Sequence, residues 1–240
     1  MSGKRLYTCN YNYFDVIDSE DKAYWLGFLF ADGCVMHSTR KRILKTKISW
    51  QDRYFMKLSL SVGDINHLKK FLKAIDGTYP INIYEERSNL VDTIKKYGRI
   101  LIEDRHMFDS LVNHGLCERK SLVVEYPNIQ SKFDDAFIRG YFDGDGCVSY
   151  SGDNWECNIT STKEMLESIY SKLPFNKNKQ LKLFQRFPER GTNSWCLRFG
   201  GNKQCFTVLD WLYNNSTENT RLERKYNKYL EIAKLNGRSI

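Results

Sequence analysis

The sequence lacks the cysteine and histidine spacings that are typical of disulfide frameworks and zinc sites. Its seven cysteines form no CxxC pair and no zinc spacing, and an odd count argues against a disulfide framework. Its four histidines show no metal-ligand spacing either, and no apolar run approaches the 18 residues of a membrane span. P-loop, GxGxxG and nucleophile-elbow motifs are absent, which argues against the common nucleotide-binding and serine-hydrolase classes. Reduced thiols and a polar N-terminus predict an intracellular protein, in the cytoplasm or an organelle matrix, that is neither secreted nor membrane-bound.

Positive charge, by contrast, is in excess. The 240 residues carry 37 Lys and Arg against 29 Asp and Glu, a net charge of +8. Hydrophobic residues make up 41% and aromatic residues 14%, which is enough for a globular core. The charge therefore favours an acidic polymer as partner, although many basic soluble proteins bind none.

One short segment occurs twice in the chain. WLGFLFADG at residues 25–33 is echoed by IRGYFDGDG at residues 138–146, an offset of 113 residues from Asp32 to Asp145. Small residues recur every fourth position in both copies, at Ala23, Gly27 and Ala31 and at Ala136, Gly140 and Gly144. Glycine inside a helix costs about 0.5–1 kcal/mol relative to alanine, so matched glycines indicate a packing reason. The pattern predicts two helices whose backbones come into close contact.

Each copy ends in an acid followed by glycine. Asp32 and Asp145 are predicted at helix C-termini, with Gly33 and Gly146 as left-handed caps. A carboxylate there opposes the helix dipole, and divalent cations would relieve the repulsion. Two carboxylates with free carbonyl oxygens form a hard ligand set suited to Mg²⁺. The alternative is that each Asp-Gly pair is an ordinary turn.

Hydrophobic periodicity organises the rest of the chain. In each half the order is helix, two strands, helix, two strands, helix, and a basic amphipathic helix is predicted near residues 219–235. The fold class is therefore α+β, with antiparallel sheets and two pseudo-symmetric αββαββα halves. We expect the halves at 1–114 and 131–240, joined by a linker at 115–130.

Both repeated segments resemble the LAGLIDADG motif, and the chain resembles a single-chain homing endonuclease with two motif copies. The evidence is AYWLGFLFADG at 23–33 and FIRGYFDGDG at 137–146, with Arg119-Lys120-Ser121 ahead of the second copy. Phe30 stands where the motif has its first acid, whereas Asp143 keeps it. The resemblance implies that two motif helices pack at the interface of the halves through Gly27, Ala31, Gly140 and Gly144.

The resemblance also implies an activity. Asp32 and Asp145 would be the catalytic acids and would bind the metal, Mg²⁺ with Mn²⁺ as a substitute, while carbonyl ligands stay unassigned. The β-sheets would form a saddle for double-stranded DNA, and metal-bound water would attack a phosphodiester of each strand at a long target site. Polar residues on strands beside the acids are candidates for supporting the metal site: Gln51, Lys57 and Asn158.

Paired β-ribbons fit the DNA major groove, so polar residues of the predicted strands are candidate DNA contacts. In the first half these are Arg40, Lys41, Arg42, Lys45, Lys47, Gln51, Arg53, Lys95, Lys96 and Arg99. In the second half they are Tyr150, Asn154, Trp155, Gln185, Arg186, Arg190, Asn193 and Arg198. Solvated charged hairpins are the alternative explanation.

The predicted function is a site-specific double-strand DNA endonuclease, intron-encoded or freestanding, that acts as a monomer because the fused halves supply the twofold. The alternative on the same scaffold is an intron maturase, which would bind intron RNA, or a catalytically silent nucleic-acid-binding protein.

Overall fold

The computed structural model describes residues 5–44, 47–87, 93–151, 153–174 and 182–238. Seven α-helices lie within these ranges: α1 (Glu20–Asp32), α2 (Ile65–Ala74), α3 (Arg105–Asn113), α4 (Asp134–Asp145), α5 (Lys163–Lys172), α6 (Asn202–Tyr213) and α7 (Glu223–Leu235). The strands are β1 (Gly33–Leu44), β2 (Lys47–Ser61), β3 (Asn82–Arg87), β4 (Ile94–Glu103), β5 (Gly146–Ser151), β6 (Asn154–Ser161), β7 (Lys182–Gln185) and β8 (Trp195–Gly200). This order confirms the predicted α+β class.

The chain is divided into two compact units. The first comprises Met1–Val16 and Asp32–Glu118, and the second comprises Ile17–Ala31 and Arg119–Ile240. The division differs from the predicted halves in one element, because nearly all of α1 clusters with the second unit. Its small-residue face packs against α4, and this contact outweighs its position in the sequence.

The first unit is a four-stranded antiparallel sheet in the order β1-β2-β4-β3, covered on one face by α2 and α3. Alternation along the strands turns Val35, Met56 and Leu58 into the core, where each is at most 1% exposed. The residues between these core positions, such as Cys34, Lys57 and Arg99, point to the face opposite α2 and α3. We call the face of each sheet that lies opposite its core face the open face.

The second unit repeats this plan with a sheet in the order β5-β6-β8-β7, contacted by α4, α5 and α6. Val148, Cys157 and Phe199 lie on its core face. Helix α7 packs on α6. None of the helices in the described ranges has the length and apolarity to cross a membrane.

Candidate active site and nucleic-acid interface

Helices α1 and α4 touch backbone to backbone inside the second unit. A Cβ atom built on Gly27 would lie 2.0 Å from the carbonyl oxygen of Phe137, and one on Gly140 would lie 2.0 Å from that of Tyr24. No side chain fits at such distances, so both positions require glycine. The structure thus brings together the two glycines of the repeated segment.

Asp32 and Asp145 are the last residues of α1 and α4, and both are exposed. The predicted left-handed caps are wrong: neither Gly33 nor Gly146 has a positive φ, and Gly146 lies at φ −82°, ψ 158°. The chain instead passes directly from helix to strand. At Gly146 glycine is required for space, because a Cβ there would lie 2.5 Å from the carbonyl oxygen of Phe142.

The carbonyl oxygens at the end of α4 were expected to be free, and this expectation is also wrong. The Lys225 ammonium, 2% exposed, donates to the carbonyls of Phe142 (2.5 Å), Asp143 (2.8 Å) and Gly146 (2.5 Å). A cation at a helix C-terminus compensates the negative end of the dipole. A lysine of α7 therefore performs the neutralisation that had been expected of a metal.

A second lysine does the same for α1. Lys120, in a 3₁₀ turn over Lys120–Leu122, donates from its ammonium to the carbonyl oxygen of Ala31. The roles of both lysines were missed at the level of sequence. A signal existed: Glu-Arg-Lys occurs at 118–120 and again at 223–225, so the lysines are a repeated pair like the acids.

Asp145 lies on the wall of a cavity of about 210 Å³ in the second unit. Hydroxyl groups and a lysine share this wall, contributed by Lys120, Ser121, Tyr141, Thr160, Ser161 and Ser194. Although Asp145 reaches solvent, it also lines this cavity, where partial loss of hydration raises the pKa of its carboxyl group; the charges of Lys120 and Lys225 and a hydrogen bond from Tyr141 act in the opposite direction. The site thus holds an acid and an ammonium group around a polar cavity.

The other acid of the motif, Asp143, is fully buried. It accepts hydrogen bonds from the hydroxyls of Tyr24 (2.7 Å) and Tyr213 (2.5 Å) and from the backbone N–H of Leu222 (2.8 Å). Burial raises its pKa, opposed first by Lys225. Asp143 therefore ties α4 to α1, to α6 and to the start of α7, whereas its counterpart Phe30 is apolar and fully buried.

The open face of the first sheet carries many of the predicted DNA contacts. Register places Arg40 opposite Gln51, Lys57 opposite Cys34, and Arg99 opposite Ser59, all on this face. Arg53 lies on the same face and makes an ion pair with Glu103.

Other candidates of the first unit lie elsewhere. Lys41 and Lys96 occupy register positions of the opposite face, and Lys96 pairs with Glu85 at 3.2 Å. Lys95 is exposed at an open-face position. Register also places the backbones of Arg42 and Lys47 at open-face positions, and Lys45 lies outside the described residues.

In the second sheet, Asn158 and Arg198 pair across β6 and β8 on the open face, and Arg198 binds Glu156. Asn154 is exposed at the start of β6, and Arg186 and Arg190 are exposed around the Phe187 ring, at 5.2 and 4.7 Å.

Four candidates of the second unit are differently engaged. Trp155 is wrong as a DNA contact, because it is 6% exposed on the core face. Tyr150 lies opposite Trp155 at a register position of the same face, with the two ring centroids 5.1 Å apart. The amide of Gln185 donates to the carbonyl of Thr192 (2.8 Å). That of Asn193 donates to Glu164 (2.9 Å).

Lys57 and Asn158 occupy matching places in the two sheets. Lys57 lies opposite Cys34, two residues beyond Asp32, and Asn158 lies opposite Cys147, two residues beyond Asp145. Gln51 lies farther along β2, opposite Arg40. The candidates for supporting the acids are therefore Lys57 and Asn158 by position, with Gln51 remote from the helix end.

Within the described residues, no group of three or more His, Cys, Asp and Glu side chains could hold a metal. Asp32 and Asp145 offer carboxylate oxygens, a donor type that hard divalent cations take together with waters and substrate phosphates.

Known proteins share both a sequence domain and the fold. Residues 132–199 match the LAGLIDADG-like domain. No curated protein sequence matches the chain.

Among solved structures, the fold is similar to that of the LAGLIDADG homing endonuclease I-LtrWI bound to target DNA. The identity is 13% and the TM-score 0.60, over 95% of this chain and 92% of that one. I-SmaMI bound to uncleaved DNA target with calcium ions has 13% identity and a TM-score of 0.55, over 90% and 91%. I-GzeII in complex with its DNA target has 12% identity and a TM-score of 0.53, over 89% of each chain. The resemblance seen in the motifs is thereby confirmed: the second half carries a LAGLIDADG-like domain, and the chain has the fold of the LAGLIDADG homing endonucleases.

Proposed function

We propose that this protein is a metal-dependent endonuclease that cuts both strands of a long duplex DNA target as a monomer. The observation that carries the proposal is the repeated helix ending in an exposed acid, Asp32 in one copy and Asp145 in the other. An exposed carboxylate at the negative end of a helix weakens stability, so its recurrence indicates a chemical use.

Asp32 and Asp145 would hold Mg²⁺, with waters and DNA phosphates as the remaining ligands. Bound there, the ion would lower the pKa of a water and stabilise the oxygen that leaves the phosphodiester. Support comes from the carbonyls of α4, which bind Lys225 and so leave carboxylates as the donors.

Lys120 would act on the phosphate. Its ammonium lines the same cavity wall as Asp145 and donates to the carbonyl of Ala31. A fixed positive charge beside a reacting phosphate stabilises the negative charge that develops in the transition state. Ser121, Thr160 and Ser194 on that wall can orient phosphate oxygens or water.

The open faces of the two sheets would bind the duplex. They present arginine and lysine at the register positions of Arg40, Lys57, Arg99 and Arg198. Such side chains contact phosphates and base edges, and a two-stranded ribbon fits the major groove. One chain contains both sheets, which supports a monomer as the acting species.

The test is cleavage of a randomised duplex library with Mg²⁺ by wild type and by Asp32→Asn and Asp145→Asn variants. Asp21→Asn and Asp135→Asn are matched controls, since they change an acid in the first turn of the same two helices. We expect wild type and controls to cut one discrete long site and the two site variants to bind it uncut. Selective retention of DNA or structured RNA without cleavage by wild type would instead indicate a silent binding protein or a maturase.

A further inference from the structure

Arg53 is held on two sides on the open face of the first sheet. Its Nε–H and Nη2–H donate to the two carboxylate oxygens of Glu103, at 2.8 and 2.5 Å. Its guanidinium carbon lies 4.7 Å from the centroid of the Phe55 ring. The carboxylate fixes the direction of the guanidinium and the ring fixes its plane, so little conformational freedom remains.

The pairing with Glu103 uses only one edge of the guanidinium. Arginine has five N–H donors, and two of them face the carboxylate. In the part of the chain that the structure describes, no hydrogen bond engages the other edge. Two parallel N–H groups on such an edge match the O6 and N7 acceptors of guanine in the major groove.

Stability alone does not account for this arrangement. The two side chains are 33% and 43% exposed, so solvent screens the pair and limits what even its bidentate geometry adds to folding. Non-specific DNA affinity does not account for it either, because Glu103 cancels the charge of Arg53 and repels phosphate. Glutamate is ionised at neutral pH, and the hydrogen bonds from Arg53 lower the pKa of Glu103 further.

We propose that Arg53 reads a guanine of the DNA target and that Glu103 is its positioning residue. The inference rests on the proposed function, since it requires duplex DNA on the open face. Because Glu103 neutralises its charge, the guanidinium of Arg53 is less attracted to the DNA phosphates. Because its direction is fixed, it discriminates between bases, since only a matching base edge accepts hydrogen bonds from both N–H groups.

The experiment is selection of binding sites from a randomised duplex library in Ca²⁺, followed by affinity measurements on single-base variants of the selected site. For wild type we expect one position at which guanine is preferred about tenfold or more. Arg53→Lys should lose the preference at that position alone, because an ammonium group cannot form the two parallel bonds.

Glu103→Gln gives the test of positioning. Its side chain has nearly the same shape but no charge, so we expect weaker discrimination at the same position together with tighter binding to random duplex. Lys95→Gln is the control, an exposed open-face lysine whose loss should weaken binding to all sequences and reduce the salt slope by about one. Thermal unfolding of each variant checks that the fold is intact.

The outcomes separate the two proposals. If wild type selects a site and neither Arg53→Lys nor Glu103→Gln changes its consensus, the assignment of Arg53 is overturned while DNA recognition stands. If wild type enriches no duplex at all, both proposals are overturned.

Discussion

Gly27 of α1 and Gly140 of α4 face each other's helix so closely that a Cβ on either would lie 2.0 Å from a backbone carbonyl oxygen. Because backbone atoms form the obstacle, no rotation of a side chain can make room. The close contact of Gly27 and Gly140 therefore fixes the distance between α1 and α4 inside the second unit.

Alanine at either position should force α1 and α4 apart. We expect Gly27→Ala and Gly140→Ala to lower the free energy of unfolding by about 3 kcal/mol, the upper end of the range for overpacked cores. Urea denaturation measures the change. Gly63→Ala is the control, since the nearest atom to its Cβ would be 3.9 Å away, and it should change stability by less than about 0.5 kcal/mol. Equal effects in all three variants would contradict the close contact.

Lys225 should be needed for the end of α4. Lys225→Met keeps most of the stem but leaves the carbonyls of Phe142, Asp143 and Gly146 without their donor. Each buried acceptor left unpaired costs about 1–3 kcal/mol, so we expect a loss of about 3 kcal/mol. Lys234→Met, at an exposed position of the same helix, should be nearly neutral by the same denaturation assay.

Asp143 should matter for stability and not as a metal ligand. In Asp143→Asn an amide NH₂ faces donors from Tyr24, Tyr213 and Leu222, so we expect a loss of about 3 kcal/mol. Calcium titration of the duplex complex at a temperature where the variant stays folded should give wild-type affinity. Weaker calcium binding under those conditions would contradict a purely structural role.

The pH dependence of stability should report on Asp145. Its pKa is raised in the folded protein, so its contribution to stability is fully present below the unfolded pKa and is lost as pH rises through the folded value. Asp145→Asn removes this dependence. We therefore expect the stability of the variant relative to wild type to increase from pH 4 to pH 8 in urea unfolding. A constant difference across that range would contradict the raised pKa.

Local patterns were sufficient to predict the helices, the strands and the close approach of two glycines, because each depends on residue spacing along one element. The division into units was not predictable in this way, since it depends on α1 packing against a helix more than a hundred residues away. The carbonyl partners of Lys225 lie about 80 residues from it in sequence. Lys225 is buried because α7 packs on α6, and the amphipathic pattern of α7 alone does not predict which helix it packs on.

The fate of Trp155 has the same origin. An aromatic residue on a strand can face the core or the ligand. Alternation along β6 places Trp155 on the face of Cys157, and the burial of both residues shows that this is the core face. Lys57 and Asn158, in contrast, were predicted from approximate strand position. The register pairs Lys57 with Cys34 and Asn158 with Cys147, and each of these cysteines follows a motif acid by two residues.

The central claim is that Asp32 and Asp145 carry metal-dependent cleavage of both DNA strands. It is tested most directly by strand-resolved cleavage of the selected duplex, end-labelled on each strand, with and without Mg²⁺. We predict that wild type cuts both strands only with Mg²⁺ and that Asp32→Asn and Asp145→Asn each bind the duplex but cut neither strand at the wild-type rate. Cleavage at the wild-type rate by both variants, or by wild type after complete removal of divalent ions, would contradict the account.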